Sequence, residues 1–171
     1  MLDETIIGAT GDPSYRAVTG AQVRDFLMQL TRFSDNALRC LTYLGLHPGK
    51  PVRERDIAHG MGMSATHLAK VVHRLAQLGY VEAVRGRGGG VKLARAPERI
   101  VIGQVVRATE ENLVLVECFD PQTNQCPIAP SCALAGSLDD ALRAFFRVLD
   151  DVTLADVLIR RRRLVPLLRS E

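Results

Sequence analysis

The chain has 171 residues, 47% of them hydrophobic and 24% charged, which is normal for one folded domain with an appended element. No stretch approaches the roughly 20 apolar residues of a membrane span. The N-terminus has neither the basic nor the apolar region of a secretion signal. These features argue against a membrane-spanning or secreted protein, and we expect a cytoplasmic one.

The net charge of +3 is unevenly distributed along the chain. Residues 28–95 carry eleven Lys or Arg against four Asp or Glu, a net charge of +7, whereas residues 1–27 and 96–171 each carry a net charge of −2. A compact basic module in a nearly neutral protein is typical of nucleic-acid binding. A solvated basic face is the alternative.

Residues 1–27 contain three glycines and a proline and little apolar periodicity. We interpret this segment as a flexible leader, or as the result of a start codon assigned upstream of Met28.

The first helical pattern follows, with apolar residues at steps of three and four. Ser34 or Asp35 can cap its start. Cys40 lies in the same pattern, and we interpret it as a small buried hydrophobe. The apolar residues of the pattern are Leu30, Phe33, Ala37, Leu38, Leu41 and Leu44.

A helix-turn-helix is predicted next. A second helix from Val52 to Met61 ends at the glycine turn of residues 60–62, and a third runs from an N-cap at Ser64 to about Leu78. The third helix has one apolar stripe, and its polar and cationic side chains point away from that stripe. A generic helical hairpin with a solvated face is the alternative. The candidate DNA-binding residues of this helix are Ser64, Thr66, His67, Lys70 and His73.

A β-hairpin follows the third helix directly. Residues 80–84 and 91–93 alternate as strands, and the glycine-rich turn between them carries Arg85 and Arg87. A hairpin in this place is a wing, and its arginines suit contact with phosphates or with a narrow minor groove. We therefore predict a mainly α protein with a small β-wing, in which residues 28–96 form a winged helix-turn-helix domain.

A connecting helix from about Ile102 to Thr109 and a longer helix from about Ala133 to Asp151 complete the predicted fold. The longer helix has apolar residues at a period of 3.5, which indicates a seam that packs against a second copy of the chain. An ordinary core helix is the alternative. We assign residues 134–171 to this dimerisation helix and to a tail whose Arg160 to Arg163 are solvated. The seam residues are Leu138, Leu142, Phe145, Leu149 and Val152.

Residues 97–133 end in a loop with three cysteines, Cys118, Cys126 and Cys132, spaced C-x7-C-x5-C. Without signs of secretion, such a group is more typical of a metal or iron-sulfur site than of disulfides. The fourth ligand is missing from the loop itself. A structural zinc site with a partner-binding role and a thiol-based redox regulator are alternatives. No catalytic constellation stands out, so we do not expect an enzyme.

Together these residues resemble the NsrR-type nitric-oxide-sensing repressors, a branch of the winged-helix iron-sulfur regulators that also include the IscR type. The resemblance covers Met28 to about Leu168 and implies a homodimer that binds a palindromic operator in double-stranded DNA. It is carried by the runs at residues 29–35, 80–93 and 153–156, and by Cys126-Pro127 followed by Cys132.

The resemblance also implies a ligand set. In the NsrR type, three cysteines and an aspartate from the first helix of the other subunit bind a 4Fe-4S cluster, and the matching positions here are the three loop cysteines and Asp35. The histidine used by the IscR type corresponds to Ala135, so that pattern is not supported. The gap between Cys118 and Cys126 is longer than is typical of the family. A 2Fe-2S cluster in a redox or iron-responsive regulator is therefore the second interpretation.

Overall fold

A computed structural model of the chain describes residues 29–168, and the leader predicted for residues 1–27 lies outside this range. The predicted class is confirmed, because the described chain is mainly helical with one two-stranded antiparallel sheet. No helix in this range is both long and apolar enough to cross a bilayer. The elements are α1 (Arg32–Leu46), α2 (Glu54–Met61), α3 (Ala65–Gln77), β1 (Val81–Val84), β2 (Gly90–Leu93), α4 (Ile102–Thr109), α5 (Ala133–Asp150), α6 (Leu154–Val157) and α7 (Arg161–Leu164).

The start of α1 differs from the prediction. Thr31 is the N-cap, and its Oγ1 accepts a hydrogen bond from the backbone N–H of Ser34 at 3.2 Å. The prediction that Ser34 or Asp35 caps the helix is therefore wrong, because both residues lie inside the first turn. Thr31 is suited to the role because its backbone is still extended, with ψ at 152°, and its hydroxyl lies beside the backbone N–H groups of the first turn that follows it.

The main core lies between α1, α2, α3 and the hairpin. Leu41, Ile57, Leu68 and Leu75 are fully buried there. Burial of one such side chain stabilises the fold by about 1.5–3 kcal/mol. Cys40 is also fully buried, and this burial, with a smaller effect of nearby Glu54, raises the pKa of its thiol to about 12. The interpretation of Cys40 as a small buried hydrophobe is confirmed.

The hairpin is joined to the helix-turn-helix by a contact that the sequence did not predict. The backbone N–H of Val52 donates to the carbonyl of Val91, and that of Val91 donates to the carbonyl of Val52, each at 2.8 Å. Since Val52 is held in this extended pairing, α2 begins at Glu54 rather than at Val52. Gly90 lies against Val52, and any Cβ there would collide with the Val52 carbonyl. The wing therefore has a fixed position against the first two helices.

A second, smaller core joins α4 to α5 and contains Ile102, Val106 and Phe146. Four of the five predicted seam residues, Leu142, Phe145, Leu149 and Val152, pack against it within the same chain. The ends of the two helices are also linked, because Arg107 donates to both carboxylate oxygens of Asp150 at 2.6 and 2.7 Å. The role of the seam between two subunits stays a prediction.

Candidate nucleic-acid interface and metal centre

The recognition helix α3 is anchored by one face and presents the other to solvent. Leu68, Val71 and Leu75 are fully buried against α1 and α2, which fixes the rotation of the helix about its axis. Ser64 occupies the N-cap position, but its hydroxyl makes no capping hydrogen bond. Because one face of α3 is buried in the core, the opposite face is accessible for contact with another molecule. All five candidate residues, Ser64, Thr66, His67, Lys70 and His73, are exposed.

The wing tip presents the two predicted arginines. Arg85 and Arg87 are exposed, and neither forms an ion pair with another residue of the described range. Gly86 and Gly88 adopt positive φ angles of 100° and 83°, which glycine takes without steric cost. The tip thus carries two unpaired guanidinium groups on a tight turn.

Arg32 belongs to the same surface, although no pattern in the sequence points to it. It lies in the first turn of α1, which packs on α3, and lines a depression together with His67 and Lys70. No local pattern could have revealed this neighbourhood, because it depends on how α1 crosses a helix more than 30 residues away in the chain.

The three loop cysteines lie between α4 and α5. Cys118 is in the 3-10 turn Glu117–Phe119, and Cys132 is the N-cap of α5. All three are half-buried free thiols. Among residues 29–168, no three His, Cys, Asp or Glu side chains are grouped closely enough to hold a metal ion. The structure therefore places the predicted thiols in one loop without assembling them into a site.

The long gap between Cys118 and Cys126 folds back on itself. The Glu117 carboxylate accepts a hydrogen bond from the backbone N–H of Gln125 at 2.6 Å, which joins the residues preceding the two cysteines. The backbone N–H of Cys126 donates to the side-chain carbonyl of Asn124 at 2.9 Å. The extra length is therefore taken up by a closed turn between the two cysteines.

Asp120 organises that turn. Its carboxylate accepts hydrogen bonds from the backbone N–H of Gln122 at 3.0 Å and from the hydroxyl of Thr123 at 2.8 Å. These two bonds lower the pKa of the Asp120 carboxyl. The loop is thus shaped by side-chain and backbone hydrogen bonds rather than by apolar burial.

Asp35, the ligand implied by the resemblance, has an accessible carboxylate. Its side chain is 46% exposed and is paired with Arg39, one turn later in α1, at 2.8 Å. Because Thr31 caps the helix, Asp35 has no capping role that competes with metal binding. The carboxylate is therefore available for a group on a neighbouring molecule.

The end of α4 touches both α1 and the recognition helix. The Glu110 carboxylate accepts hydrogen bonds from the backbone N–H and the hydroxyl of Thr31, at 2.8 and 3.2 Å. The Arg74 guanidinium on α3 donates to the carbonyl of Ala108 at 3.4 Å. Since the cysteine loop follows Glu110 directly, one turn of α4 connects the loop to both helices.

The donor set suits a thiophilic metal. Three thiolates within fifteen residues are the usual ligands of iron-sulfur clusters and also of zinc. A carboxylate as fourth ligand is harder than a thiolate, and both iron and zinc accept it. The residues thus fit an iron-sulfur group on chemical grounds, with the fourth ligand to come from outside the loop.

An exposed recognition helix, a glycine turn and a basic wing define a winged helix-turn-helix DNA-binding protein. The Rrf2 family model, described as an iron-dependent transcriptional regulator, matches residues 30–160. The chain belongs to the Rrf2 family.

Individual relatives agree with this assignment. The chain is 50% identical over 144 residues to the HTH-type transcriptional regulator NsrR of Geobacillus kaustophilus, covering 84% of this chain and 98% of the relative. It is 46% identical over 145 residues to NsrR of Bacillus subtilis, covering 84% and 99%. Among solved structures, T. potens IscR matches with a TM-score of 0.63 and 26% identity over 77% of this chain and 86% of that one. The resemblance seen in the sequence is confirmed, as is the expectation of a regulator rather than an enzyme.

Proposed function

We propose that this chain is a homodimeric, cytoplasmic transcriptional repressor that releases a palindromic operator when nitric oxide reacts with an iron-sulfur cluster bound by its cysteine loop. The observation that carries the proposal is the terminal turn of α4, which contacts the recognition helix through Ala108 and α1 through Glu110 and leads directly into the loop. The NsrR name of the relatives supports the choice of signal.

The DNA-binding part of the proposal rests on exposed polar and cationic side chains. The N-terminal half of α3 would enter a major groove, where Thr66, His67 and Lys70 reach base edges, with Ser64 and His73 beside them. Arg85 and Arg87 of the wing would lie along the flanking minor groove, which attracts guanidinium groups when it is narrow.

Dimerisation is supported by an apolar stripe on α5. At 100° per residue, Leu134 and Val148 lie on the same side as Leu138 and Phe145. Leu134 and Val148 are 65% and 64% exposed, and the other two are half-buried. Exposed apolar side chains in a row on one helix are typical of a protein interface, and a second α5 is the partner that a two-fold symmetric operator requires.

The cluster would be held by Cys118, Cys126 and Cys132 of one subunit and by Asp35 of the partner subunit. When bound, the cluster supplies the iron with which nitric oxide reacts. A carboxylate binds iron more weakly than a thiolate does, so Asp35 would be the ligand most easily displaced. The Arg39 guanidinium pairs with this carboxylate in the described chain and would compete with iron for it.

Loss of the Asp35 bond would change the relative position of the two recognition helices. The α1 helix of each subunit would no longer be bound to the loop of its partner. Within each subunit, the end of α4 that leads into the loop would stay connected to α1 through Glu110 and to α3 through Arg74. A coupling free energy of a few kcal/mol is enough to weaken operator binding by about 10² to 10³.

Metal content tests the nature of the centre. Protein purified without oxygen should be brown, contain iron and sulfide, and lose its visible absorbance band when nitric oxide is added. A colourless protein that contains zinc would instead identify a structural metal site. A spectrum and iron content typical of two irons per chain would identify the 2Fe-2S alternative.

A matched pair of substitutions tests the role of Asp35. Asp35 and Asp139 each form an exposed ion pair with an arginine four residues later, and such a pair contributes about 0.3–0.5 kcal/mol. Asp35→Ala should accelerate cluster loss, whereas Asp139→Ala should behave as the unmodified protein. Equal rates of cluster loss in the two variants would exclude Asp35 as a ligand.

A further inference from the structure

A notch of about 210 Å³ separates the first turn of α1 from the recognition helix. His67 and Lys70 form one side of it, so it opens on the surface proposed to face DNA. Arg32 forms the other side and is exposed. Neither Arg32 nor Lys70 is paired with a carboxylate of the described chain. The notch therefore concentrates positive charge without a counter-ion. Its lining residues are Arg32, Phe33, Asn36, His67, Lys70 and Val71.

Asn36 adds an amide group to this notch. Its side chain makes no hydrogen bond to another residue in the range 29–168. Since no side-chain nitrogen or oxygen of this range is both buried and without a partner, the amide atoms of Asn36 are accessible from the notch, although the residue as a whole is only 7% exposed. An accessible amide that lines a cationic notch is available to an anionic oxygen, and Arg32 lines the same notch.

We propose that this notch binds a backbone phosphate of the DNA through Arg32 and Asn36. A phosphate presents several strong acceptor oxygens, and a guanidinium together with an amide donor can bind two of them at once. Phosphate contacts of this kind set the position and register of a recognition helix without reading sequence. Arg32 is thus a positioning residue for α3, alongside the base-reading role proposed for Lys70.

Two duplexes separate a phosphate contact from a base contact. One is a 30-base-pair duplex of mixed sequence, and the other is a duplex selected from a randomised library by the unmodified full-length protein. Arg32→Ala should weaken binding to both by a similar factor, about tenfold at low salt, equivalent to roughly 1.4 kcal/mol. The slope of log affinity against log salt concentration should fall by about 0.9, as expected for one lost phosphate contact.

Three further variants complete the experiment. Arg32→Lys keeps the charge and should restore the salt slope. Arg147→Ala removes an exposed arginine from α5, which packs on α4, and should leave both affinities unchanged. Lys70→Ala should weaken binding to the selected duplex more than to the mixed one. Melting temperatures of all variants show that the fold is retained.

The outcomes are distinct. A loss confined to the selected duplex would mean that Arg32 reads a base and would overturn the phosphate assignment. Unchanged binding by Arg32→Ala while Lys70→Ala is weakened would overturn the notch but leave the DNA-binding surface in place. Unchanged binding by both would show that α3 does not face DNA at all.

Discussion

The winged-helix part and the cysteine loop are stabilised in different ways. Between α1 and β2, side chains such as Leu41, Ile57 and Leu75 are fully buried in one continuous core. Between residues 110 and 132, by contrast, no residue is fully buried. The hydrogen bonds that shape the loop come from Glu117, Asp120 and Asn124 and join residues no more than eight positions apart.

This difference assigns a separate task to each part. A core that buries many leucines holds the recognition helix and the wing in place without any ligand. A loop shaped by hydrogen bonds that each contribute about 1 kcal/mol can change conformation when its thiols bind a metal. We therefore expect the two parts to respond to different perturbations.

The largest expected effect is on iron binding, and substitution of one cysteine in each part distinguishes the loop from the winged helix. Cys126→Ser should abolish iron binding while leaving the melting temperature of the metal-free protein unchanged, since Cys126 lies outside both cores. Cys40→Ala, in the main core, should retain iron and lower the melting temperature. Iron analysis and thermal denaturation check both variants. Retention of the full iron content by Cys126→Ser would remove this residue from the ligand set.

The next comparison concerns apolar side chains. Leu41→Ala should lower the free energy of unfolding by about 2–5 kcal/mol, because it leaves a cavity in a fully packed core. Ile128→Ala in the loop should change it by no more than about 0.5 kcal/mol, since Ile128 is 64% exposed. Urea unfolding of the metal-free protein measures both. Similar losses would show that the loop belongs to the core.

The junction between the two parts should give an intermediate effect. Thr31 caps α1 and also donates to Glu110, at the start of the loop. Thr31→Ala should lower the free energy of unfolding by about 1 kcal/mol, the usual cost of a lost N-cap. Thr31→Ser keeps the hydroxyl and should restore most of the stability in the same urea titration. If the serine variant were as unstable as the alanine variant, the hydroxyl of Thr31 would not be the group that stabilises the fold.

The smallest expected effect is on the pH dependence of the free energy of unfolding. Hydrogen bonds from the Thr153 hydroxyl and backbone N–H lower the pKa of Asp156 below its ordinary value of 3.8. The folded state therefore gains stability above the unfolded pKa and loses it as the pH falls through the folded value. Between pH 5 and pH 3, the urea midpoint of Asp156→Asn should decline less steeply than that of the unmodified protein. Parallel curves would show that this carboxyl does not contribute.

Short-range patterns predicted much of the fold. The limits of α4, Ile102 and Thr109, and the positions of α3 and the hairpin followed from periodicity and glycine turns, which act over a few residues. The Val52–Val91 pairing and the Thr31–Glu110 contact could not be predicted, because they join residues 39 and 79 positions apart. Arg32 was missed for the same reason.

The candidate metal site was only partly predictable. Spacing identified the three cysteines, and the family resemblance pointed to Asp35. The exposed Asp35–Arg39 pair and the closed turn between Cys118 and Cys126 became visible only in three dimensions. Assembly of the proposed site would need a partner subunit and a bound group, and local sequence patterns determine neither.

In the proposed mechanism, the cysteine loop controls DNA binding by the winged helix. The most direct measurement is the affinity of the anaerobically purified protein for the selected duplex before and after stoichiometric nitric oxide, with the visible absorbance recorded in parallel. We expect the absorbance band to be lost and binding to weaken by about 10² to 10³. Unchanged affinity after complete loss of the band would contradict this mechanism.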